Sequence, residues 1–259
     1  MDATRVEIIG IGAGDPDHVT VGAVAAMTRA DVFFFLDKPD AAGELSDLRQ
    51  VILDAHVPAG GYRLARVQDP QRVRTEAGYG EAVADWRKRR ADACERLIAD
   101  NLAPGETGAF LVWGDPSLYD SIISVVDDIR ARGNLEFEVL VHPGISSVSA
   151  LAARCHTTLN QVGGAVQVTT GRRLEQAWPD GVDDVVVMLD ARDAYLAYAN
   201  DPDIHIHWGA YVGTADEIIV SGPLSEVAEQ IRDTREKARQ DKGWIMDTYL
   251  LRRKRSSVD

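Results

Sequence analysis

Four short apolar runs, at residues 6–11, 32–36, 108–113 and 137–141, are separated by longer stretches whose apolar positions recur at helical spacing. That alternation predicts βαβ units and a mostly parallel sheet. Thr20 is placed to cap a helix over residues 21–30, and Ala82, Val83, Trp86, Ala93, Leu97 and Ile98 mark the apolar stripe of another, bounded by Gly78 and Pro104. Pro143 and Gly144 then punctuate the chain, and Ser146 or Ser147 can cap a helix through Ala150, Leu151 and Ala153. This places a domain junction, with one α/β domain over residues 1–144 and a second over 145–259. In the second, residues 165–170, 185–189, 204–212, 218–220 and 244–251 read as strands. Helices are expected after Arg172, after Ala191 and over 224–237, and the close strand spacing near 204–222 predicts an antiparallel hairpin in a mixed sheet. Residues 252–259 are expected to fray.

Charge narrows the classes of partner. Lysine and arginine number 28 against 41 aspartates and glutamates, a net charge of −13 across 259 residues, which argues against a general nucleic-acid binder or a partner of anionic membrane. Cys94 and Cys155 lie far apart, with neither disulfide-framework nor zinc-cage spacing. No apolar stretch approaches the ~18 residues of a membrane span, so a soluble cytoplasmic protein is expected.

Two glycine-acid-proline turns carry the chemistry. GIGAGDPDHVT from Gly10 and WGDPSLYD from Trp113 each follow an apolar run and are expected to open a helix, offering backbone N–H groups to a ligand. A dinucleotide fingerprint fits Gly10 and Gly12 but puts Asp15 in the third glycine position, where a carboxylate would face pyrophosphate. A phosphate loop of the Walker type lacks its lysine, and the acidic residue that commonly precedes a methyltransferase glycine loop is here Ile8. Asp15 and Asp115 also suit simple helix caps followed by Pro16 and Pro116 at the first helical position. The recurrence of Gly-Asp-Pro favours a shared ligand cleft over coincidence.

These turns, together with HPGISSVSALAAR from His142, VVVMLD from Val185 and GTADEIIVSGPL from Gly213, resemble the tetrapyrrole methylase family, in order and over nearly the whole chain. FFFLDK at Phe33, TTGRRL at Thr169, HWGAYVGTADEI at His207 and GWIMDTYLLRR at Gly243 add a likeness to its members that methylate precorrin-5 at C-1 and release acetate. The resemblance implies a two-domain class III methyltransferase with a cofactor cleft between a mostly parallel and a mixed sheet. It implies S-adenosyl-L-methionine as cofactor, S-adenosyl-L-homocysteine as product, a tetrapyrrole substrate and a homodimer. Cofactor contacts carried over by motif are Gly12, Ala13, Gly114, Asp115, Leu118, Ser146, Ser147, Leu189, Ala210, Tyr211 and Gly213. Ala13 stands where many relatives have proline. A nucleotide-dependent oxidoreductase and a non-catalytic binder of the same cofactor are the competing classes.

Asp15, Asp115 and Tyr119 are candidate acids or bases for deacetylation, each with a plainer role as cap or packed ring. The substrate's carboxylates call for local cations, and Arg172 and Arg173 after the Thr169–Gly171 turn are the best placed. Arg63, Arg66, Arg72 and Arg74 form a looser group in a segment read as a polar loop, and the Arg87 to Arg90 run reads as a solvated helix face. His205 and His207 alternate on one strand without a third ligand, so no metal is expected. Trp208, Trp244 and Tyr249 read as core or interface aromatics.

Overall fold

A computed structural model describes residues 3–37, 42–71 and 79–254. It divides into two compact units, Met1–Ile145 and Ser146–Asp259. In the first unit β1 (Arg5–Gly10), β2 (Val32–Asp37), β3 (Arg63–Gln68), β4 (Thr107–Val112) and β5 (Glu138–His142) form one parallel sheet in the order β3-β2-β4-β1-β5. Between them lie α1 (Val21–Arg29), α2 (Ala42–His56), α3 (Tyr79–Asn101) and α4 (Ile122–Arg132).

The unbroken apolar runs reflect burial on both faces, since successive strand side chains point to opposite sides. Val6, Ile8, Phe34, Phe110 and Val112 pack with Cys94, Leu97, Val125 and Ile129 of α3 and α4. Their neighbours Ile9, Phe33, Phe35, Ala109 and Leu111 pack with Ala23, Met27, Ile52 and Leu53 of α1 and α2. Cys94 is sealed in the first of these layers, where burial pushes its thiol up to about 12. Thr20 caps α1 as its sequence predicts, its hydroxyl accepting from the Ala23 N–H at 3.1 Å.

The first unit departs from its sequence pattern in three places. RLARVQ is the edge strand β3, with Ala65 its one buried residue, rather than a loop. An edge strand with one wet face carries no apolar run to announce it. Arg63 is consequently paired with Glu106 at 2.7 Å, and Arg66 with Asp37 at 3.2 Å. The Arg87 to Arg90 run divides: Arg87 and Arg89 pair at the surface with Asp128 and Asp85, whereas Arg90 turns inward to Asp69 and Ser121. The second glycine turn does not lead straight into a helix, because α4 begins at Ile122, whose N–H is held by Asp120 at 2.6 Å. Arg72 and Arg74 lie outside the described residues.

The second unit contains β6 (Val166–Thr170), β7 (Asp184–Met188), β8 (Ile204–Ala210), β9 (Ile218–Pro223) and β10 (Asp247–Arg253), in the order β6-β7-β10-β8-β9. Only β6 and β7 run parallel, and β8 and β9 form the anticipated antiparallel pair. The helices are α5 (Ser147–Arg154), the single turn α6 (Gly171–Leu174) and α7 (Leu224–Lys242). Ser146 caps α5, accepting from the Ser149 N–H at 3.3 Å. A 3-10 turn over Ala194–Tyr198 replaces the helix expected after Ala191. Trp208 and Tyr249 are core residues, and Trp244 packs edge-on against Tyr211. Arg252 and Arg253 belong to β10 instead of fraying, with Arg252 locked to buried Asp184 at 2.6 Å.

His205 and His207 stack at 4.8 Å on β8, and among the described residues no group of three or more His, Cys, Asp or Glu is arranged to hold a metal. Burial first, then repulsion from His205 and Arg252, pulls His207 down to about 4. A histidine whose folded value lies below its ordinary 6.5 resists protonation in the native state. Its stabilising effect is complete above about pH 6.5 and is lost as pH falls towards 4. Thermal melts at pH 7.5 and pH 5 therefore show a wild-type loss exceeding that of His207→Gln by about 2 to 4 °C, for roughly 1 kcal/mol.

Candidate cofactor and substrate site

The order β3-β2-β4-β1-β5 makes β1 and β4 neighbours whose onward connections leave in opposite directions, β1 towards β2 and β4 towards β5. Such a switch point opens a crevice beyond the carboxyl ends of the two strands, where α/β proteins bind ligands. Both Gly-Asp-Pro turns emerge there. Gly12 and Gly114 join them through an antiparallel bridge, with N···O distances of 3.3 and 2.7 Å.

A third segment closes on this pair. The Asp115 carboxylate accepts from the Gly144 N–H at 2.9 Å, and from the Ser117 N–H at 2.9 Å and the Ser117 hydroxyl. Burial pushes its carboxyl up, but the Ser117 hydroxyl and the two backbone donors together hold it below the usual carboxylate range. Asp115 is thus a saturated, ionised acceptor that ties the β4 turn to the β5 turn. A Cβ on Gly144 would lie 2.1 Å from the Gly114 carbonyl oxygen and 2.8 Å from the Gly10 carbonyl carbon, so main chain meets main chain here without room for a side chain. His142, ending β5, rests on the buried Glu7 of β1 at 2.9 Å. Local spacing does not mark Glu7, and the HPG turn is the sequence signal that points to Gly144.

Asp15 caps a 3-10 turn over Pro16–His18, accepting from the Asp17 N–H at 2.9 Å. Ala13 is buried beside it. Leu118 donates its N–H to the Asp115 carbonyl, and Tyr119 follows with φ of 53° and 45 % exposure. A bulky residue in left-handed backbone costs of order 1–3 kcal/mol, a strain that persists where the surrounding structure imposes it and that clusters at ligand sites. Burial raises the Tyr119 hydroxyl, which keeps it a proton donor at neutral pH.

In the second unit Leu189 repeats the pattern, at φ 54° and 65 % exposed. It is held out by its neighbour: Asp190 accepts from Tyr249 Oη and the Ala194 N–H, both at 2.7 Å, and from the Arg192 N–H at 2.9 Å. Ser146 and Ser147 begin α5. Ala210 is buried, and Tyr211 sits at φ 50° with its hydroxyl donating to the Trp244 carbonyl at 2.6 Å, its N–H donating to the Met246 carbonyl at 2.9 Å and its carbonyl accepting from the Thr214 hydroxyl at 2.8 Å. The Gly213 N–H donates to Glu217 at 2.8 Å. Arg172 and Arg173 are exposed on α6.

Residues 5–228 match the family described as Tetrapyrrole (Corrin/Porphyrin) Methylases. The chain belongs to that family. It is 44% identical over 249 residues to "Precorrin-6A synthase [deacetylating]" from Sinorhizobium sp, a match spanning 96% of this chain and 95% of the relative. Among solved structures it is similar to a putative cobalamin synthesis related protein (CobF) from Corynebacterium diphtheriae, with TM-score 0.83, 33% identity, and coverage of 97% and 99% of the two chains. The fold is shared by uroporphyrin-III C-methyl transferase from Thermus thermophilus complexed with S-adenosylhomocysteine, at TM-score 0.57 and 20% identity over 95% and 91%. The chain is an α/β methyltransferase of this group.

Proposed function

We propose that this protein is a precorrin-6A synthase of the deacetylating kind, using S-adenosyl-L-methionine to methylate precorrin-5 at C-1 with release of acetate, in cobalamin biosynthesis. The observation that carries the reading is the 44% identity maintained across 96% of this chain and 95% of the Sinorhizobium enzyme. The cradle proposed at Gly10, Gly12, Gly114 and Gly144 suits a cofactor gripped by main chain, because these turns present backbone instead of side chains at the strand ends and pack so closely that a Cβ on Gly10 or Gly144 would collide with the facing backbone. The cofactor contacts are Gly12, Ala13, Gly114, Asp115, Leu118, Ser146, Ser147, Leu189, Ala210, Tyr211 and Gly213.

When bound, the sulfonium cofactor supplies an electrophilic methyl group. The protein's task is alignment, and well-oriented reactants save roughly 7–11 kcal/mol of barrier, more than any single hydrogen bond of about 1 kcal/mol. Asp115, bonded to Ser117 and Gly144, acts by fixing the turns, and Asp15 by holding the first. Deacetylation adds water to the acetyl carbonyl and breaks the bond to the ring, leaving acetate and returning the electron pair to the macrocycle. Tyr119, protonated and exposed, is the group available to donate to that carbonyl. Arg172 and Arg173 meet substrate carboxylates.

The protein acts in the cytoplasm as a homodimer. Leu140 and Val141 on edge strand β5, and Val166 and Val168 on edge strand β6, are each at least 37% exposed, which supports burial against a second copy. Sedimentation equilibrium giving a monomer would overturn the dimer.

Incubation with precorrin-5 and methyl-labelled cofactor yields labelled macrocycle and one equivalent of acetate. Label without acetate identifies a different precorrin methylation, cofactor binding without transfer identifies a non-catalytic protein, and binding of nicotinamide cofactor alone restores the oxidoreductase. Tyr119→Phe slows acetate release at least about tenfold while cofactor affinity holds.

A further inference from the structure

Arg49 of α2 lies across the carboxyl ends of β2 and β4, in a position no motif pointed to. Its Nε donates to the Leu111 carbonyl at 3.2 Å, and its guanidinium stands 5.9 Å from the Phe35 ring centre and 5.7 Å from that of Trp113, the first residue of the second glycine turn. Two further arginines flank this end of the sheet, each committed to an aspartate of its own. Arg66, stacked over Phe35 at 4.7 Å, pairs with Asp37 at 3.2 Å. Arg90, stacked over Trp86 at 5.3 Å, pairs with Asp69 at 3.2 Å and reaches Ser121.

Arg49 differs from both, since among the described residues no carboxylate lies within ion-pair distance of its guanidinium. Burial pulls it down to about 10, against the partial support of Asp120, Asp37 and Asp69 and with Arg90 opposing. The adjacent Trp113 indole N–H is buried without a hydrogen-bond partner. A planar cation steered by two aromatic faces, with most of its N–H donors unmatched among the described residues and beside an unmatched indole, suits an acceptor that is flat, anionic and bidentate.

We propose that Arg49 is a receptor for a carboxylate arm of the tetrapyrrole, and thereby sets how the macrocycle is seated at the β2 and β4 ends. This rests on the reading of the substrate given above. The bound cofactor also carries a carboxylate, in its amino-acid portion, so both ligands are titrated.

In Arg49→Met, which keeps the apolar stem between the rings, KM for precorrin-5 rises about 10- to 100-fold while the dissociation constant of S-adenosylhomocysteine stays within about twofold. Arg49→Lys, retaining charge without the fork, falls between. A loss confined to S-adenosylhomocysteine transfers the receptor to the cofactor and overturns the substrate assignment, and no change in either constant overturns the receptor altogether. Uroporphyrin III, followed by fluorescence quenching, provides an arm independent of turnover. At least tenfold weaker binding of it to Arg49→Met sustains the receptor even if wild-type protein fails to methylate precorrin-5, whereas unchanged binding removes it. Should Arg49→Met lose its native circular dichroism, the same comparisons on Arg49→Lys decide, with unaltered constants counting against the proposal.

Discussion

Replacing Gly144 with alanine is expected to abolish cofactor binding at micromolar concentrations and to lower the melting temperature of the protein. The added methyl carbon would sit 2.1 Å from a backbone oxygen and within 2.9 Å of two Gly10 backbone atoms, far inside ordinary contact. No rotamer can relieve this, because the obstructing atoms are main chain. The three turns must separate by more than an ångström, yet Gly12–Gly114 and Asp115–Gly144 hydrogen bonds tie them together. Overpacking of that kind costs about 3 kcal/mol. Since the same backbone forms the proposed cradle, the affinity for S-adenosylhomocysteine falls at least about 100-fold, as measured by calorimetry. Gly22→Ala is the control. Its Cβ meets nothing closer than Thr20 Oγ1 at 3.9 Å, and alanine within α1 stabilises by up to about 1 kcal/mol. Unaltered affinity in Gly144→Ala would show that the turns do not grip the cofactor.

Arg235→Ala is expected to destabilise the second unit by about 3–5 kcal/mol, the usual cost of stranding a buried charge. Arg235 is only 6 % exposed, and its guanidinium joins Asp247 at 2.8 Å, Asp193 at 3.1 Å and the Asp190 carbonyl. Asp247 also accepts from the Trp208 indole at 3.0 Å. Burial already raises the Asp247 carboxyl despite its arginine. Without Arg235 the native state gains more by protonating it, so the deficit narrows as pH falls from 7 towards 5. Urea denaturation of wild type, Arg235→Ala and the double variant Arg235→Met with Asp247→Asn checks both parts, the double variant recovering at least about half of the loss. The functional consequence follows from position. Arg235 binds the carbonyl of the residue after Leu189, so its removal also loosens the backbone that presents that exposed leucine.

Much of this was legible in the chain. Strands buried on both faces, such as FFF in β2 and FLV in β4, declare themselves as continuous apolar runs because both neighbouring layers demand it. The Thr20 and Ser146 caps were equally readable, being local hydrogen bonds between residues three apart. By contrast β3 was hidden, because an edge strand with a solvated face carries arginines as readily as a loop does. Arg90 looked like its exposed neighbours until the helix turned it towards Asp69, 21 positions away in the chain.

By itself, the sequence determined the family, the alternation of strands and helices, and the two turns whose glycines let backbone approach a ligand. Tertiary structure decided what those turns are attached to. Asp115 reaching Gly144, Glu7 beneath His142, and Arg49 laid between Phe35 and Trp113 join segments 29, 135, 14 and 64 residues apart. Helical and strand periodicity report only what a residue's near neighbours require. Pairings across a sheet depend on strand order, which places β4 beside β1 and leaves no trace in local spacing.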